Sequence, residues 1–72
     1  MNDVQMEKFH LVKDHLTPAL KYATDGEVRK CTYRVDGSKE SVVITYSNGW
    51  TRRVNVTADS MPALMRDVLK HI

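Results

Sequence analysis

The chain has a single cysteine, Cys31, and no run of apolar residues long enough to cross a membrane. One cysteine cannot form an internal disulfide, so the core alone must hold the fold, which suits a reducing cytosol. No basic segment followed by an apolar run opens the sequence, so we expect neither a signal peptide nor a membrane span. These absences predict a cytoplasmic protein without covalent cross-links.

Residues that carry catalysis or hold cofactors are few and poorly spaced. His10 and His15 lie about 140° apart around a helix, so they cannot chelate one metal ion as an i, i+4 pair would. The three glycines are scattered among turns and form no phosphate-binding loop. Cys31 is expected in a buried strand with no base beside it. We therefore predict no catalytic residues, no metal site and no cofactor, and an enzyme is the least favoured class.

What the sequence does contain is sufficient for one small domain spanning residues 1–72. Hydrophobic residues make up 42% and charged residues 28%, which is typical of a globular protein. A chain this short buries only about 60% of the surface that it exposes when unfolded, which leaves little room for a deep cleft. The net charge of +2 is uneven, since residues 28–57 hold six Lys and Arg against two acids, whereas residues 1–27 hold three Lys against five acids.

The first segment, from about Asp3 to Thr24, is predicted to be helical. Pro18 interrupts it, and because proline disrupts a helix interior we expect a kink or break near Leu16. Thr17 is then expected to cap a second, short helix. The apolar spacing that predicts the buried face is carried by Phe9, Val12, Leu16, Ala19, Leu20 and Ala23.

The last segment, from Asp59 or Ser60 to Ile72, is predicted to be a second amphipathic helix. Asp59 or Ser60 can cap its start, and Pro62 is tolerated in its first turn. A stripe at helical spacing is predicted to lie in the core and comprises Met61, Leu64, Met65, Val68, Leu69 and Ile72.

The middle segment predicts three strands, Val28–Val35, Glu40–Tyr46 and Trp50–Thr57. A tight Gly37-Ser38 turn and a three-residue loop, residues 47–49 with a left-handed glycine, keep the apolar residues on one face. The fold class is α+β, in the order helix–strand–strand–strand–helix, with a three-stranded antiparallel meander and both helices on one face. The predicted core side of the sheet carries Cys31, Tyr33, Val35, Val42, Ile44, Tyr46, Trp50, Val54 and Val56.

The opposite face of the sheet is predicted to be open, because two helices suffice to cover one face only. It carries three cations and several hydroxyls without an acid, and Val28 is also assigned to it. A basic face of this kind favours contact with a partner or a nucleic acid. The candidate contact residues are Lys30, Thr32, Arg34, Thr45 and Arg53.

Trp50 and Arg52 are secondary contact candidates. Strand parity places both on the core side, so Trp50 is interpreted first as a core residue that closes the end of the hairpin. Arg52 is expected to pack its stem and to direct its head to an edge carboxylate or to the indole ring.

The element order resembles that of the double-stranded-RNA-binding domain, whose helices cover the back of a three-stranded sheet. The basic motif that opens the last helix in that family is missing here. "ADSMPALMRD" stands in its place, with Asp59 where cations are expected, so the likeness is one of topology and argues against that mode of RNA binding. Lys30, Arg34 and Arg53 also fit the three-stranded domains of some transposon integrases, which lay an open sheet face into the DNA major groove.

The stretch "ITYSNGWTRRVNVTADS" and the short helix after it are similar to the endings of many short phage and mobile-element proteins. The resemblance covers about the last third of the chain, and it implies docking on a host protein, which includes inhibition of host defence nucleases.

Three classes of function follow. A non-enzymatic module that docks on a host protein comes first, and a nucleic-acid binder that uses the open basic face comes second. A homodimer comes third, through an edge or helix contact, because three cations facing their own copies disfavour a face-to-face dimer.

Overall fold

A long irregular helix, three antiparallel strands and a final helix follow one another in a computed structural model that describes all 72 residues. The strands form one sheet in the order β1-β2-β3. This confirms the predicted α+β class and the order of its elements. The elements are α1 (Asp3–His10), a π-helical segment (Leu11–Leu16), α2 (Thr17–Ala23), β1 (Val28–Asp36), β2 (Lys39–Tyr46), β3 (Thr51–Asn55) and α3 (Met61–Lys70).

Side chains cap the first and last helices at their N-termini. Asn2 accepts a hydrogen bond from the Gln5 backbone N–H, and the Gln5 side chain accepts one from the Asn2 backbone N–H. Ser60 accepts a hydrogen bond from the Ala63 N–H and so begins α3, as predicted. Each cap satisfies backbone donors that have no partner within the helix.

Of the kink or break predicted near Leu16, the break does not occur, because the chain passes from α1 to α2 through a π-helical segment. Pro18 has no N–H and its ring crowds the preceding turn, and the wider turns of the π-helical segment accommodate it. An α-helix overshoots a full turn by about 40° every four residues. The π-helical segment reduces this drift, so four residues spaced by four, Lys8, Val12, Leu16 and Leu20, are all buried.

Thr17 does not cap a second helix; it joins the helix to the sheet. The residue before α2 has helical dihedral angles and makes no side-chain cap. The Thr17 hydroxyl donates to the Cys31 carbonyl oxygen and accepts from the Cys31 N–H, each at 3.0 Å. The prediction of a cap was wrong because the chain never leaves the helical conformation before Pro18.

The predicted registers of both hairpins are confirmed. In the first, Tyr33 lies opposite Val42 and Cys31 opposite Ile44. In the second, the Tyr46 N–H donates to the Trp50 carbonyl oxygen at 2.8 Å, which encloses the predicted three-residue loop. Gly49 within this loop has φ +90°, a conformation that glycine adopts without strain.

Val28 does not lie on the open face as predicted. The register shifts between Val28 and Lys30, and this β-bulge turns Val28 into the core, where it is fully buried. A single extra residue reverses the parity of the strand beyond it, because side chains alternate between faces.

One core lies between the helices and a single face of the sheet, and only part of the α3 stripe reaches it. Leu64 and Val68 are fully buried, whereas Met65, Leu69 and Ile72 are 36%, 49% and 45% exposed, so their core assignment was wrong. Three strands span only about 10 Å between outer strands, and two adjacent helices are wider than this. The outer side of α3 therefore extends past the sheet.

Candidate binding surfaces

The five predicted contact residues lie together on the sheet face opposite the helices. Pairing across the three strands forms the rows Lys30–Thr45–Thr51, Thr32–Val43–Arg53 and Arg34–Ser41–Asn55, as predicted. The three cations are exposed, and Thr32, Val43 and Thr45 are half-buried among them. We call these nine residues the open sheet face.

The three cations of the open sheet face stand far apart. Lys30 and Arg34 are four residues apart on β1, which corresponds to about 13 Å along an extended strand. Arg53 lies two strands away, about 10 Å across the sheet and midway between the other two along the strand direction. A partner that matches all three cations at these backbone separations presents several anionic groups on one surface.

No group of the protein neutralises these cations. The two ion pairs of the structure, Lys8–Glu40 and His10–Asp14, both lie elsewhere. None of the open-face cations makes a side-chain hydrogen bond, and at one end of the sheet Arg53 lines a groove with Asp36 and Glu40 without an ion pair to either. The positive charge of this face is therefore available to a partner.

Trp50 is 75% exposed, so its assignment to the core was wrong. Strand parity correctly predicted that Trp50 lies on the helix side of the sheet, opposite Tyr46. However, α3 ends at Lys70 and leaves this end of the sheet uncovered. The core thus ends at the partly buried Tyr46 and the indole ring stands in solvent.

Arg52 contacts neither a carboxylate nor the indole ring. Its Nη1 donates to the His71 carbonyl oxygen at 3.0 Å, just beyond the C-terminus of α3, where carbonyl groups lack helical partners. Arg52 and Trp50 line a groove of about 500 Å³ at the hairpin end, together with Glu27, Tyr46, Ser47, Asn48, His71 and Ile72.

The sequence reasoning missed the buried charge of Lys8. Lys8 is 3% exposed, and its Nζ lies 2.7 Å from Glu40 Oε1. The Tyr33 hydroxyl donates to the same oxygen. Burial raises the pKa of Glu40, but hydrogen bonds from Lys8 and Tyr33 oppose this and hold the pKa below its usual value. The one available signal was the spacing of Lys8 four residues before Val12 and eight before Leu16.

Asp59 lies near this ion pair and is poorly satisfied. Its Oδ2 is buried without a hydrogen-bond partner. The Asp67 carboxylate faces Asp59, and two carboxylates share a hydrogen bond only when one is protonated. Burial, followed by this contact with Asp67, raises the pKa of Asp59.

The remaining reactive groups are used within the fold. Burial raises the pKa of the Cys31 thiol to about 11, so it stays protonated at neutral pH. His10 Nδ1 lies 3.5 Å from Asp14, and His71 Nδ1 lies 2.7 Å from the Asp67 carbonyl oxygen. His, Cys, Asp and Glu side chains form no group of three that could hold a metal ion.

Comparisons with protein-family models, with curated proteins and with solved structures find no match to the chain. The resemblances noted from the sequence therefore stay predictions. No helix combines the length and the apolar character needed to span a bilayer.

Proposed function

We propose that the chain is a non-enzymatic interaction module that docks on an acidic surface of a protein partner through the open sheet face. The observation that carries this proposal is the set of three unpaired cations around a half-buried centre, Thr32, Val43 and Thr45. The similarity of the last third to phage and mobile-element proteins supports a host protein as the partner, with a defence nuclease as one example.

The composition of the open sheet face favours a protein over a nucleic acid. Three cations are few beside the six to ten phosphate contacts typical of a DNA-binding protein. Val43, at the centre of the face, offers an apolar contact that a protein surface can complement. An acidic rim around an apolar centre is therefore the partner surface that fits best.

Charge reversal tests this proposal. We compare the wild type with a variant carrying Lys30→Glu, Arg34→Glu and Arg53→Glu in capture of cytosolic proteins from the source cell, with nuclease added. We expect a protein that binds the wild type and loses more than about tenfold in affinity for the variant. A matched control carries Lys13→Glu, Lys21→Glu and Lys70→Glu, which make the same charge change on exposed helix positions. Equal capture by the open-face variant would contradict the proposal.

Nucleic-acid binding is a second candidate, and the separation of charge in the fold favours it. The acids of the first helix lie on the layer that covers the other side of the sheet, so they do not oppose an approach to the open sheet face. The test is an amide NMR titration with a DNA duplex and then an RNA duplex, at low and at physiological salt. Shifts confined to Lys30, Thr32, Arg34, Thr45 and Arg53 would support it, and no shift at low salt would exclude it.

A further inference from the structure

The two edges of the sheet differ in how their backbone groups are used. On β1, the N–H and C=O of Cys31 point away from β2, and the Thr17 hydroxyl bonds to both. The first helix runs beside this edge, where Phe9, Lys13 and Thr17 line a shallow depression with β1. A strand from another protein cannot pair at Cys31 without displacing Thr17. The edge of β1 is therefore partly closed.

The edge of β3 is open along its length. Trp50 and Val56 are hydrogen-bonded to β2, so the even-numbered residues of β3 direct their backbone groups inward. The N–H and C=O groups of Thr51, Arg53 and Asn55 consequently point outward. These groups make no backbone hydrogen bond in a turn or loop and none with a side chain. Three consecutive pairing positions are thus available to a further strand.

We propose that the edge of β3 accepts an extended segment of a protein partner as a fourth strand, with an acidic side chain opposite Arg53. The proposal deepens the proposed function and rests on it, since Arg53 belongs both to this edge and to the open sheet face. Backbone pairing would supply the affinity, and the ion pair across the strands would select the partner.

Charge determines which strand fits this edge. A second copy of this chain, paired antiparallel about a two-fold axis at Arg53, would place Arg53 opposite its own copy. A two-fold axis at Arg52 would likewise place Arg52 opposite its own copy. Like charges directly opposite each other destabilise strand pairing. An acidic residue opposite Arg53 removes this repulsion, and small polar residues suit Thr51 and Asn55 on the same face. Charge complementarity at Arg53 therefore favours an acidic segment of another protein as the occupant.

Amide hydrogen exchange with a synthetic peptide tests the proposal. The probe is a nine-residue peptide of Thr with a single Glu at its centre, and its control has Lys in place of Glu. We expect exchange at Thr51, Arg53 and Asn55 to slow about fivefold at a peptide concentration four times its Kd. The amides of Lys30 and Cys31, on the opposite edge strand, should be unaffected, and the Lys peptide should have no effect.

Two modifications separate backbone pairing from charge. Thr51→Pro removes one outward N–H and leaves the ladder to β2 in place, since this N–H does not face β2, whereas Thr51→Ala keeps it. We expect the peptide to bind Thr51→Ala but to lose affinity for Thr51→Pro by about tenfold. If Thr51→Pro does not fold, a peptide methylated on alternate backbone nitrogens provides the same test with the wild type.

The outcomes distinguish this inference from the proposed function. If the Thr-Glu peptide gives no protection at millimolar concentration, or if the Lys peptide protects equally, strand addition at β3 is wrong. If a captured partner binds Thr51→Pro normally but not the open-face charge-reversal variant, docking on the open sheet face stands and strand addition is again overturned. If neither change weakens capture, both proposals fail.

Discussion

At the scale of the residue, the buried Lys8 shows how a charge is accommodated within an apolar stripe. Its side chain continues the line of Val12 and Leu16 toward the sheet and meets Glu40 and Tyr33 beyond the core. An unpaired ammonium in this position would be strongly unfavourable, so the ion pair is a condition for packing α1 in this orientation.

Lys8→Met is expected to lower the free energy of unfolding by about 3 kcal/mol, because it leaves the buried Glu40 carboxylate without its cation. Urea unfolding followed by far-UV circular dichroism would measure this. Lys21→Met, at an exposed position of α2, is the control and should change stability by less than about 0.5 kcal/mol. Equal effects of the two substitutions would show that the Lys8–Glu40 pair contributes nothing specific.

The lowered pKa of Glu40 predicts that the folded protein loses stability in acid. Its pKa is lower in the folded than in the unfolded protein, so its contribution is present above the unfolded pKa and is lost as pH falls through the folded pKa. Unfolding free energies measured from pH 6 down to pH 2 should show this loss in the wild type. Glu40→Gln should flatten that part of the curve, and an unchanged slope would contradict the assignment.

Asp59→Asn is expected to stabilise the protein at pH 7 by about 1 kcal/mol, because it removes a carboxylate buried without a donor. The pKa of Asp59 is higher in the folded protein, so its cost is absent below the unfolded pKa and complete above the folded pKa. The gain should therefore vanish as pH falls below the unfolded pKa. Asp36→Asn, at an exposed strand end, should show no such pattern in thermal unfolding.

At the scale of the element, the first helix and β1 act as one unit because Thr17 joins them. The Thr17 hydroxyl lies on a helix that contains a wider π-helical segment just before Pro18 but no break. Its two hydrogen bonds are to Cys31, in the middle of the edge strand β1. A threonine at this position therefore orients the helix on the sheet and also closes part of the β1 edge.

Thr17→Val keeps the shape of the side chain but leaves the N–H and C=O of Cys31 unpaired. We expect a loss of about 2 kcal/mol in the free energy of unfolding and faster amide exchange at Cys31. Thr17→Ser should preserve most of both values, since it retains the hydroxyl. Unchanged exchange at Cys31 in the valine variant would mean that the edge is protected by the helix rather than by this hydrogen bond.

Strand parity and turn chemistry predicted the hairpin registers, because each loop has a glycine at the required position and a wrong register would divide the apolar set between faces. The same reasoning failed at Val28, Trp50 and Leu69. The burial of Val28 depends on a bulge in β1. The exposure of Trp50 and Leu69 depends on where α3 lies and ends relative to a narrow sheet. These are properties of the assembled layers, and hydrophobic periodicity within one segment does not contain them.

At the scale of the whole molecule, the sheet separates a basic surface from a helical layer that carries four acids, Asp3, Glu7, Asp14 and Asp67. The open sheet face could be assembled from sequence because its cations lie on strands of correctly predicted register. The groove at the hairpin end and the difference between the two sheet edges could not be predicted from the sequence. They depend on the last residues of α3 and on a hydrogen bond between residues fourteen positions apart.

The number of open-face cations sets the salt dependence of any binding to DNA. Three neutralised phosphates predict a slope of about −2.7 for log K against log salt concentration, with little binding left at physiological salt. Fluorescence anisotropy with a labelled duplex would measure it. Arg34→Ala should reduce the slope by about 0.9, whereas Lys70→Ala on α3 should leave it unchanged. A slope near −6 would require additional cations outside the open sheet face.

The exposure of Trp50 determines how the intrinsic fluorescence of this protein responds to unfolding and to binding. Its only indole is already in water when the chain is folded, so intrinsic fluorescence should be red-shifted from the start and should change little on denaturation. The same property makes the emission a sensor for events at the start of β3, because the next residue, Thr51, is the first outward pairing position. A blue shift on adding an acidic segment would then report burial of this ring without any label.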